Sequence, residues 1–157
     1  MRQFVTGVCV ASTYVDQDSE RRHDAVTVNS VTSLSLDPPL IALCLRHESR
    51  FLARIRSSAR WAVSILSADH ESIAEAFAQD QDKRAWAVKT MLGEPGPATG
   101  ALIVKGPGWM ECELDRSIAV GDHTMVIGEV RSTGVGDADS PLIFLEGRFR
   151  SLETVQS

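Results

Sequence analysis

The sequence lacks the features that mark membrane and secreted proteins. Its longest uninterrupted apolar run extends from Leu40 to Leu45, whereas a membrane-spanning helix needs about 20 such residues. The first residues contain no basic segment followed by an apolar one, so they do not have the form of a secretory signal. No internal repeat or low-complexity segment is present. We therefore expect a cytoplasmic protein that does not bind a membrane.

The sequence has no excess of positive charge and few cysteines. A net charge of −5 at pH 7 argues against a nucleic-acid surface, which normally carries a basic excess. Small molecules or proteins are therefore the expected partners. Cys9, Cys44 and Cys112 are odd in number and far apart, which predicts buried, reduced thiols rather than a disulfide framework. The histidines have no metal-ligand spacing, so we expect no metal site.

The common nucleotide-binding and hydrolase motifs are missing as well. The chain has no GxGxxG turn for a dinucleotide and no GxxxxGK loop followed by Ser or Thr for a triphosphate. A GxSxG nucleophile turn is also absent. An enzyme with this sequence must take its reactivity from another source.

Strand patterns dominate what the sequence does contain. The 157 residues, 43% hydrophobic and 24% charged, suit one globular domain over residues 1–157. The predicted strands are 4–13, two short strands within 25–36, 40–45, 61–66, 109–117, 123–131 and 142–151. One predicted helix is capped by Ser49, and a second begins near Asp69 and fades within 79–84. The predicted loops are 16–23, 93–100 and 133–141. Because strands and helices do not alternate, the pattern predicts a mainly antiparallel barrel or sandwich.

The segment from residue 25 to residue 36 has one apolar and one polar face. Val26, Val28, Leu34 and Leu36 share the even positions, and these are expected to pack inward. The polar side chains of Thr27, Asn29, Ser33 and Ser35 occupy the odd positions, and a bend is expected at 30–32. The polar face has two interpretations: an ordinary solvent-facing strand, or a surface that binds the edge of a polar heterocycle.

Two further polar clusters each have a functional and an ordinary interpretation. The start of the first helix is surrounded by Arg46, His47, Ser49 and Arg50, and its free amides, with Ser49 and the arginines, can bind a phosphate. The alternative is that these side chains form the solvent-exposed basic face of an ordinary helix. His123 follows a Gly-Asp turn, where it can donate a hydrogen bond to a cofactor or substrate, or serve only the turn. Residues 77–83 also have two interpretations: a mobile loop at the mouth of a site, or the frayed end of the second predicted helix.

Several segments, taken in order, resemble the flavin reductase domain family. They are FVTGV at 4–8, AVTVNSVTSLSLDPPL at 25–40, CLRHESR at 44–50, WAVSIL at 61–66, the segment from FA at 77–78 to DK at 82–83, GDHTMVIGEV at 121–130 and EGRF at 146–149. Members of this family include the small reductase components of two-component flavin monooxygenases. The resemblance implies a mainly β fold, an antiparallel Greek-key split β-barrel (the FMN-binding split barrel) with two or more short helices. It also implies a homodimer with the flavin near the subunit interface.

The resemblance assigns binding positions to residues of this chain. Those matching the isoalloxazine and ribityl contacts are Thr27, Val28, Asn29 and Ser30. Those matching the phosphate contacts are Ser33, Ser35, Arg46, Ser49 and Arg50. Those matching a loop beside the flavin and the C-terminal tail are Phe77, Lys83 and Arg148. His123 matches the catalytic histidine placed near the nicotinamide. Phe149 stands where relatives have tyrosine, so a hydroxyl is lost there.

The implied activity is that of an NAD(P)H:flavin oxidoreductase. A hydride passes from NADH or NADPH to N5 of FMN or FAD, and the reduced flavin then supplies a partner monooxygenase. Such chemistry asks the protein to orient two flat rings and requires no nucleophile, which agrees with the missing motifs. The alternative is a flavin-binding protein of the same fold without reductase turnover. The sequence leaves open which flavin and which nicotinamide are used.

Overall fold

The computed structural model describes residues 1–137 and 140–152. Two residues of the predicted loop 133–141, 138 and 139, lie outside the described part. The strands are β1 Thr6–Gly7, β2 Cys9–Gln17, β3 Glu20–Val28, β4 Thr32–Leu36, β5 Pro39–Arg46, β6 Arg60–Ile65, β7 Gly108–Val120, β8 His123–Val135, β9 Leu142–Leu145 and β10 Arg148–Ser151. The α-helices are α1 Arg50–Ser58, α2 Glu71–Phe77 and α3 Gln81–Met91. The predicted class, mainly β with antiparallel strands and short helices, is confirmed.

Seven strands form one antiparallel sheet in the order β3-β2-β6-β7-β8-β5-β4. Its edge strands, β3 and β4, follow each other in the chain, but no pairing joins them among the described residues, so the sheet stays open. A separate three-stranded sheet has the order β1-β9-β10. The larger sheet brings the ends of β3 and β5 and the start of β8 close to α1, and this region holds the cavity described below.

Helix α1 has clear start and stop signals. The Ser49 hydroxyl accepts a hydrogen bond from the Leu52 amide, and Ala59 ends the helix in the left-handed conformation. Phe51, Leu52 and Ile55 are buried in a core cluster with residues of the larger sheet. Each such side chain contributes roughly 1.5–3 kcal/mol through removal of apolar surface from water. This burial fixes the N-terminus of α1 beside the ends of β5 and β8.

Two predicted boundaries are wrong because turns were missed. The charged segment 16–23 is not a loop, since β2 and β3 continue through it and meet at a two-residue turn. Asp18 and Ser19 have φ of 52° and 66°, which short polar residues tolerate. The single strand predicted for 142–151 is two strands, because Glu146 and Gly147 turn the chain with φ of 55° and 81°.

The sequence prediction also failed for the N-terminal strand and for α3. The strand predicted over 4–13 breaks at Val8, and its first part, β1, joins the smaller sheet. The second predicted helix was expected to end gradually within 79–84, but a separate helix, α3, begins there at Gln81. It lacks a continuous apolar stripe, since its buried residues are Arg84 and Ala87 while Trp86 is exposed. Its polar pattern therefore did not reveal a helix.

The expectation that Leu34 and Leu36 pack into the core is wrong. Leu36 is 90% exposed and Leu34 is 46% exposed. Strand β4 is an edge strand, with an irregularity of pairing between Ser33 and Ser35. No element of the described chain covers its even-numbered face. None of the helices in this part of the chain is long and apolar enough to span a membrane.

Candidate functional site

A cavity of about 800 Å³ lies beside the N-terminus of α1. This size is within the range of cofactor and small-ligand sites, roughly 300–1,000 Å³. It lies where the end of β3 meets the end of β5, the start of α1, the start of α3 and the start of β8. Its lining residues are Val26, Thr27, Val28, Asn29, Ser30, Cys44, Leu45, Arg46, Glu48, Ser49, Arg50, Phe51, Asp80, Gln81, Asp82, Arg84 and His123.

One end of this cavity is suited to an anion. Ser49 caps α1, and the first amides of that helix have no partner within the helix, which leaves a partial positive charge at its start. Arg46 and Arg50 line the same region. A guanidinium beside a helix N-terminus can form charge-assisted hydrogen bonds to a phosphate. Arg50 also reaches towards α3, where its Nη1 donates to Oε1 of Gln81 at 3.2 Å.

Two hydroxyl groups on the β3 side of the cavity are engaged in the scaffold. The Thr27 hydroxyl donates to the carbonyl of Ala74 in α2 at 2.6 Å. The Ser30 hydroxyl accepts from the amide of Cys44 at 3.1 Å and donates to the carbonyl of the same residue at 3.3 Å. These hydroxyls hold α2 and β5 against the end of β3. The side chain of Asn29, which is exposed, is better placed in this segment to bind a ligand.

His123 begins β8 and is oriented by its neighbour. Its Nδ1 is 2.7 Å from Oδ1 of Asp122, and since a carboxylate only accepts, Nδ1 carries the proton. The hydrogen bond and the charge of His123, with a smaller effect of Arg46, hold the pKa of Asp122 below its usual range. The Nε2 atom of His123 makes no hydrogen bond to any residue that the structure describes. That nitrogen is therefore available to a ligand in the cavity.

A buried ion-pair cluster supports the α3 side of the cavity. Asp24 of β3 is only 2% exposed. Its Oδ1 is 3.2 Å from Nη2 of Arg84, and its Oδ2 is 3.0 Å from Nη1 of Arg54 in α1. Arg84 also donates from Nη1 to the carbonyl of Gln79 at 2.9 Å. The cluster ties α3 to β3 and α1, and it engages the charge of Arg84 in an ion pair.

Eight of the sequence-predicted site residues line the cavity together. They are Thr27, Val28, Asn29, Ser30, Arg46, Ser49, Arg50 and His123. The other lining residues were not among the predicted site residues: Val26, Cys44, Leu45, Glu48, Phe51, Asp80, Gln81, Asp82 and Arg84. Cys44 and Glu48 belong to the segment CLRHESR that carried the resemblance. Asp80, Gln81 and Asp82 lie in the segment 77–83, for which one interpretation was the border of a site, although the helix that begins there was not predicted.

Five other predicted binding residues do not line this cavity. Phe77 is 1% exposed and packs in a second core cluster between the helices and the smaller sheet. Lys83 is exposed on α3, and Arg148 is exposed on β10 in the smaller sheet. Ser33 and Ser35 lie on the edge strand β4, beyond the bend at 29–31. The structure therefore gives no contact between these five side chains and the cavity.

The cavity lining fits the flavin that the sequence resemblance implies. Val26, Val28 and Leu45 provide apolar surface for a flat ring, and the α1 end provides positive charge for a phosphate. The carboxylates of Asp80 and Asp82 lie on the α3 side, so the phosphate is favoured near Arg46 and Arg50. Within the described ranges, no group of three His, Cys, Asp or Glu side chains is placed to hold a metal ion.

Comparisons with known proteins identify the family of this chain. The family described as "Flavin reductase like domain" matches residues 1–153. A probable flavin reductase of Rhizobium meliloti is 35% identical over 127 residues, which are 81% of this chain and 39% of that protein. The reductase component of the 4-hydroxyphenylacetate 3-monooxygenase of Thermus thermophilus is 28% identical and covers 97% of this chain and 92% of its own.

A solved structure is also similar over nearly the whole chain. It is that of the NADH:FAD oxidoreductase of Streptomyces globisporus in complex with NAD and FAD fragments. Its TM-score is 0.87 at 30% identity, and the match covers 99% of this chain and 90% of the other. The present chain thus spans less than half of the Rhizobium protein and most of the other two.

Proposed function

The chain belongs to the flavin reductase like domain family, and we propose on that basis that it is an NAD(P)H:flavin oxidoreductase. The hydride acceptor is FMN or FAD, and the name of the Streptomyces relative, an NADH:FAD oxidoreductase, favours NADH as the donor. We propose that residues 1–157 form one flavin reductase-like domain. We also propose a cytoplasmic location, since reduced nicotinamides are intracellular coenzymes.

One observation carries this proposal. The cavity has an anion-binding end at α1 and a histidine with an available ring nitrogen at the start of β8, and these are adjacent because Arg46 pairs with His123 across β5 and β8. A flavin phosphate and a nicotinamide need such groups at a fixed separation. Val26, Val28 and Leu45 in the same lining provide apolar surface that suits a flat ring.

Each part of the lining has a role in this proposal. Arg46, Ser49 and Arg50 bind the phosphate, while Val28 and the backbone near Asn29 hold the ring system. Because Nδ1 of His123 donates to Asp122, its Nε2 accepts a hydrogen bond when the ring is neutral and donates one when the ring is protonated, and this hydrogen bond orients the nicotinamide. The chemistry that a flavin supplies when bound is acceptance of a hydride at its N5. The residues of this chain bind, orient and exclude water, and none needs to act as a nucleophile.

The experiment is to mix purified protein with NADH or NADPH and with FMN or FAD in all combinations. Loss of nicotinamide absorbance above a protein-free control is the expected result with at least one pair. Absence of turnover with every pair would contradict the proposal. Anaerobic mixing with measured formation of reduced flavin separates the reaction from background oxidation.

A second candidate function is flavin binding without reductase turnover. It is favoured by the lining itself, whose hydroxyl, amide and guanidinium groups are binding groups. Flavin titration followed by protein fluorescence distinguishes the two. Quenching together with background NADH oxidation would support the second candidate, whereas no quenching at all would contradict both.

We propose that the functional unit is a homodimer. The exposed side chains of Leu34 and Leu36 on the edge strand β4 support this, since an uncovered apolar edge favours association. Light scattering after size exclusion tests it, with Leu36→Glu expected to raise the monomer fraction and Leu152→Glu, at another exposed apolar position, as the control. A monomeric wild-type protein would contradict it.

We further propose that the reduced flavin serves a flavin-dependent monooxygenase. The name of the Thermus relative, a monooxygenase reductase component, supports this. A coupled assay with the oxygenase encoded nearest to the gene tests the proposal. Product formation that depends on this protein and on NADH is expected, and equal product formation without the protein would contradict it.

A further inference from the structure

His47 holds the turn between β7 and β8 from outside the cavity lining. Its Nε2 is 2.8 Å from the carbonyl oxygen of Gly121, and its Nδ1 is 2.8 Å from the hydroxyl of Thr124. Its backbone amide donates to the carbonyl of Asp122 at 3.3 Å. One residue therefore contacts three of the four positions from 121 to 124, and the fourth is His123.

The two ring nitrogens have defined roles in this contact. A carbonyl oxygen only accepts, so Nε2 of His47 carries a proton and donates to Gly121. The hydroxyl of Thr124 can donate to a neutral Nδ1 or accept from a protonated one. Both hydrogen bonds thus persist in either charge state of His47. The contact is a permanent support rather than a proton-dependent switch.

Strand pairing holds both ends of the turn, since Val120 pairs with His123 and Arg46 pairs with His123 from the other side, but the side chains of the turn itself make few contacts. Gly121 has φ of 58°, and a Cβ added to it would meet no atom within 4 Å. The Asp122 side chain is 91% exposed. Thr124, by contrast, is 1% exposed. The His47 side chain therefore connects an otherwise solvent-surrounded turn to a buried residue and to its own segment, which leads into the cap of α1.

His47 also lies between the two groups that the proposed reaction needs. It follows Arg46 and precedes Ser49, so its backbone belongs to the phosphate-binding segment, while its side chain holds the turn that carries His123. We propose that His47 is a positioning residue that fixes His123 relative to the phosphate end of the cavity. This inference rests on the proposed function. A misplacement of about 1 Å of a positioned group can lower a rate by about 100-fold.

The test compares His47→Ala with His47→Gln, because a Gln amide can still donate to the Gly121 carbonyl. Steady-state kinetics with NADH and flavin titration are measured for both. We expect His47→Ala to lower kcat/KM for NADH by about tenfold with flavin affinity unchanged, and His47→Gln to restore most of the loss. His70→Ala serves as the control, since His70 also accepts a local hydrogen bond but lies outside the cavity lining.

A second measurement requires no activity. Amide hydrogen exchange of residues 121–124 is followed by NMR in the flavin-free protein, and faster exchange is expected in His47→Ala but not in His70→Ala. Unchanged exchange would overturn the support of the turn by His47. Faster exchange with an unchanged kcat/KM for NADH would overturn the positioning role. If the wild-type protein has no turnover with any flavin, the proposed function fails, and unequal exchange in the two variants still demonstrates the support.

Discussion

Arg46 and His123 face each other as the terminal pair of the ladder between β5 and β8. Arg46 continues into the segment that caps α1, and His123 follows the turn that His47 holds. The strand pairing therefore sets the distance between the anion-binding end of the cavity and the histidine. Changes at the anion-binding end, such as Arg50→Ala, and changes at His123 should therefore have separable effects on flavin binding and on turnover of the nicotinamide.

Replacing Arg50 by Ala should weaken FMN binding more than riboflavin binding, since only FMN carries a phosphate. A hydrogen bond to a charged group contributes roughly 1.5–3 kcal/mol, which corresponds to a loss of about 10- to 100-fold in affinity for FMN. Fluorescence titration with both ligands measures it. Arg56→Ala, in the last turn of the same helix and outside the cavity lining, is the matched control. Equal losses for the two ligands would contradict the assignment of Arg50 to the phosphate.

Ser49→Ala is a less specific test of the same site, because it also removes the helix cap at a cost of about 1 kcal/mol.

Replacing His123 by Ala should reduce NADH turnover while leaving flavin affinity nearly unchanged. Its Nε2 is the group available to the nicotinamide, and losing one hydrogen bond predicts a decrease in kcat/KM of about tenfold. Asp122→Asn should have a smaller effect in the same direction, because the neutral amide still accepts from Nδ1. A loss confined to flavin affinity would instead move His123 to the flavin side.

Replacing Asp24 by Ala should destabilise the fold. It removes the common partner of Arg54 and Arg84, and Arg84 is nearly buried. Breaking a buried ion pair on one side typically costs about 3–5 kcal/mol. Urea unfolding measures this, with Asp16→Ala as the control, because the Asp16–Arg21 pair is exposed and should contribute little. A change at Asp24 no larger than that at Asp16 would contradict the prediction.

The stability of the protein should fall above pH 9 because of two buried thiols. Burial raises the pKa of Cys9 to about 11 and that of Cys112 to about 12, from an ordinary value of 9.0. Above pH 9 the unfolded chain releases these protons while the folded chain retains them, so rising pH favours unfolding. The stabilising contribution is complete below pH 9 and is lost as the pH rises towards the folded values. Urea midpoints at a series of pH values should fall less steeply for a Cys9→Ala, Cys112→Ala variant, and identical slopes would argue against this cause.

Local sequence signals were enough for several parts of the fold and the site. Ser49 was identified as a helix cap, and 61–66 was predicted as a strand close to the observed β6, because capping and alternation act over a few residues. The resemblance added the family, which the comparison bears out. The resemblance also indicated the eight predicted site residues that line the same cavity in the structure.

Tertiary structure decided which faces are covered and which polar groups remain available. Alternation placed Leu34 and Leu36 on one side of β4, but no distant element covers that side, so they are exposed. The hydroxyls of Thr27 and Ser30 share the cavity wall, yet Ala74 and Cys44 engage them. Phe77 is removed from the cavity for the same reason, because α2 packs it into the core. The periodicity of a strand (two residues) or of a helix (3.6 residues) predicts from sequence which side chains share a face. Whether that face is buried, and which hydrogen bonds it makes, depends on partners that are distant in the sequence.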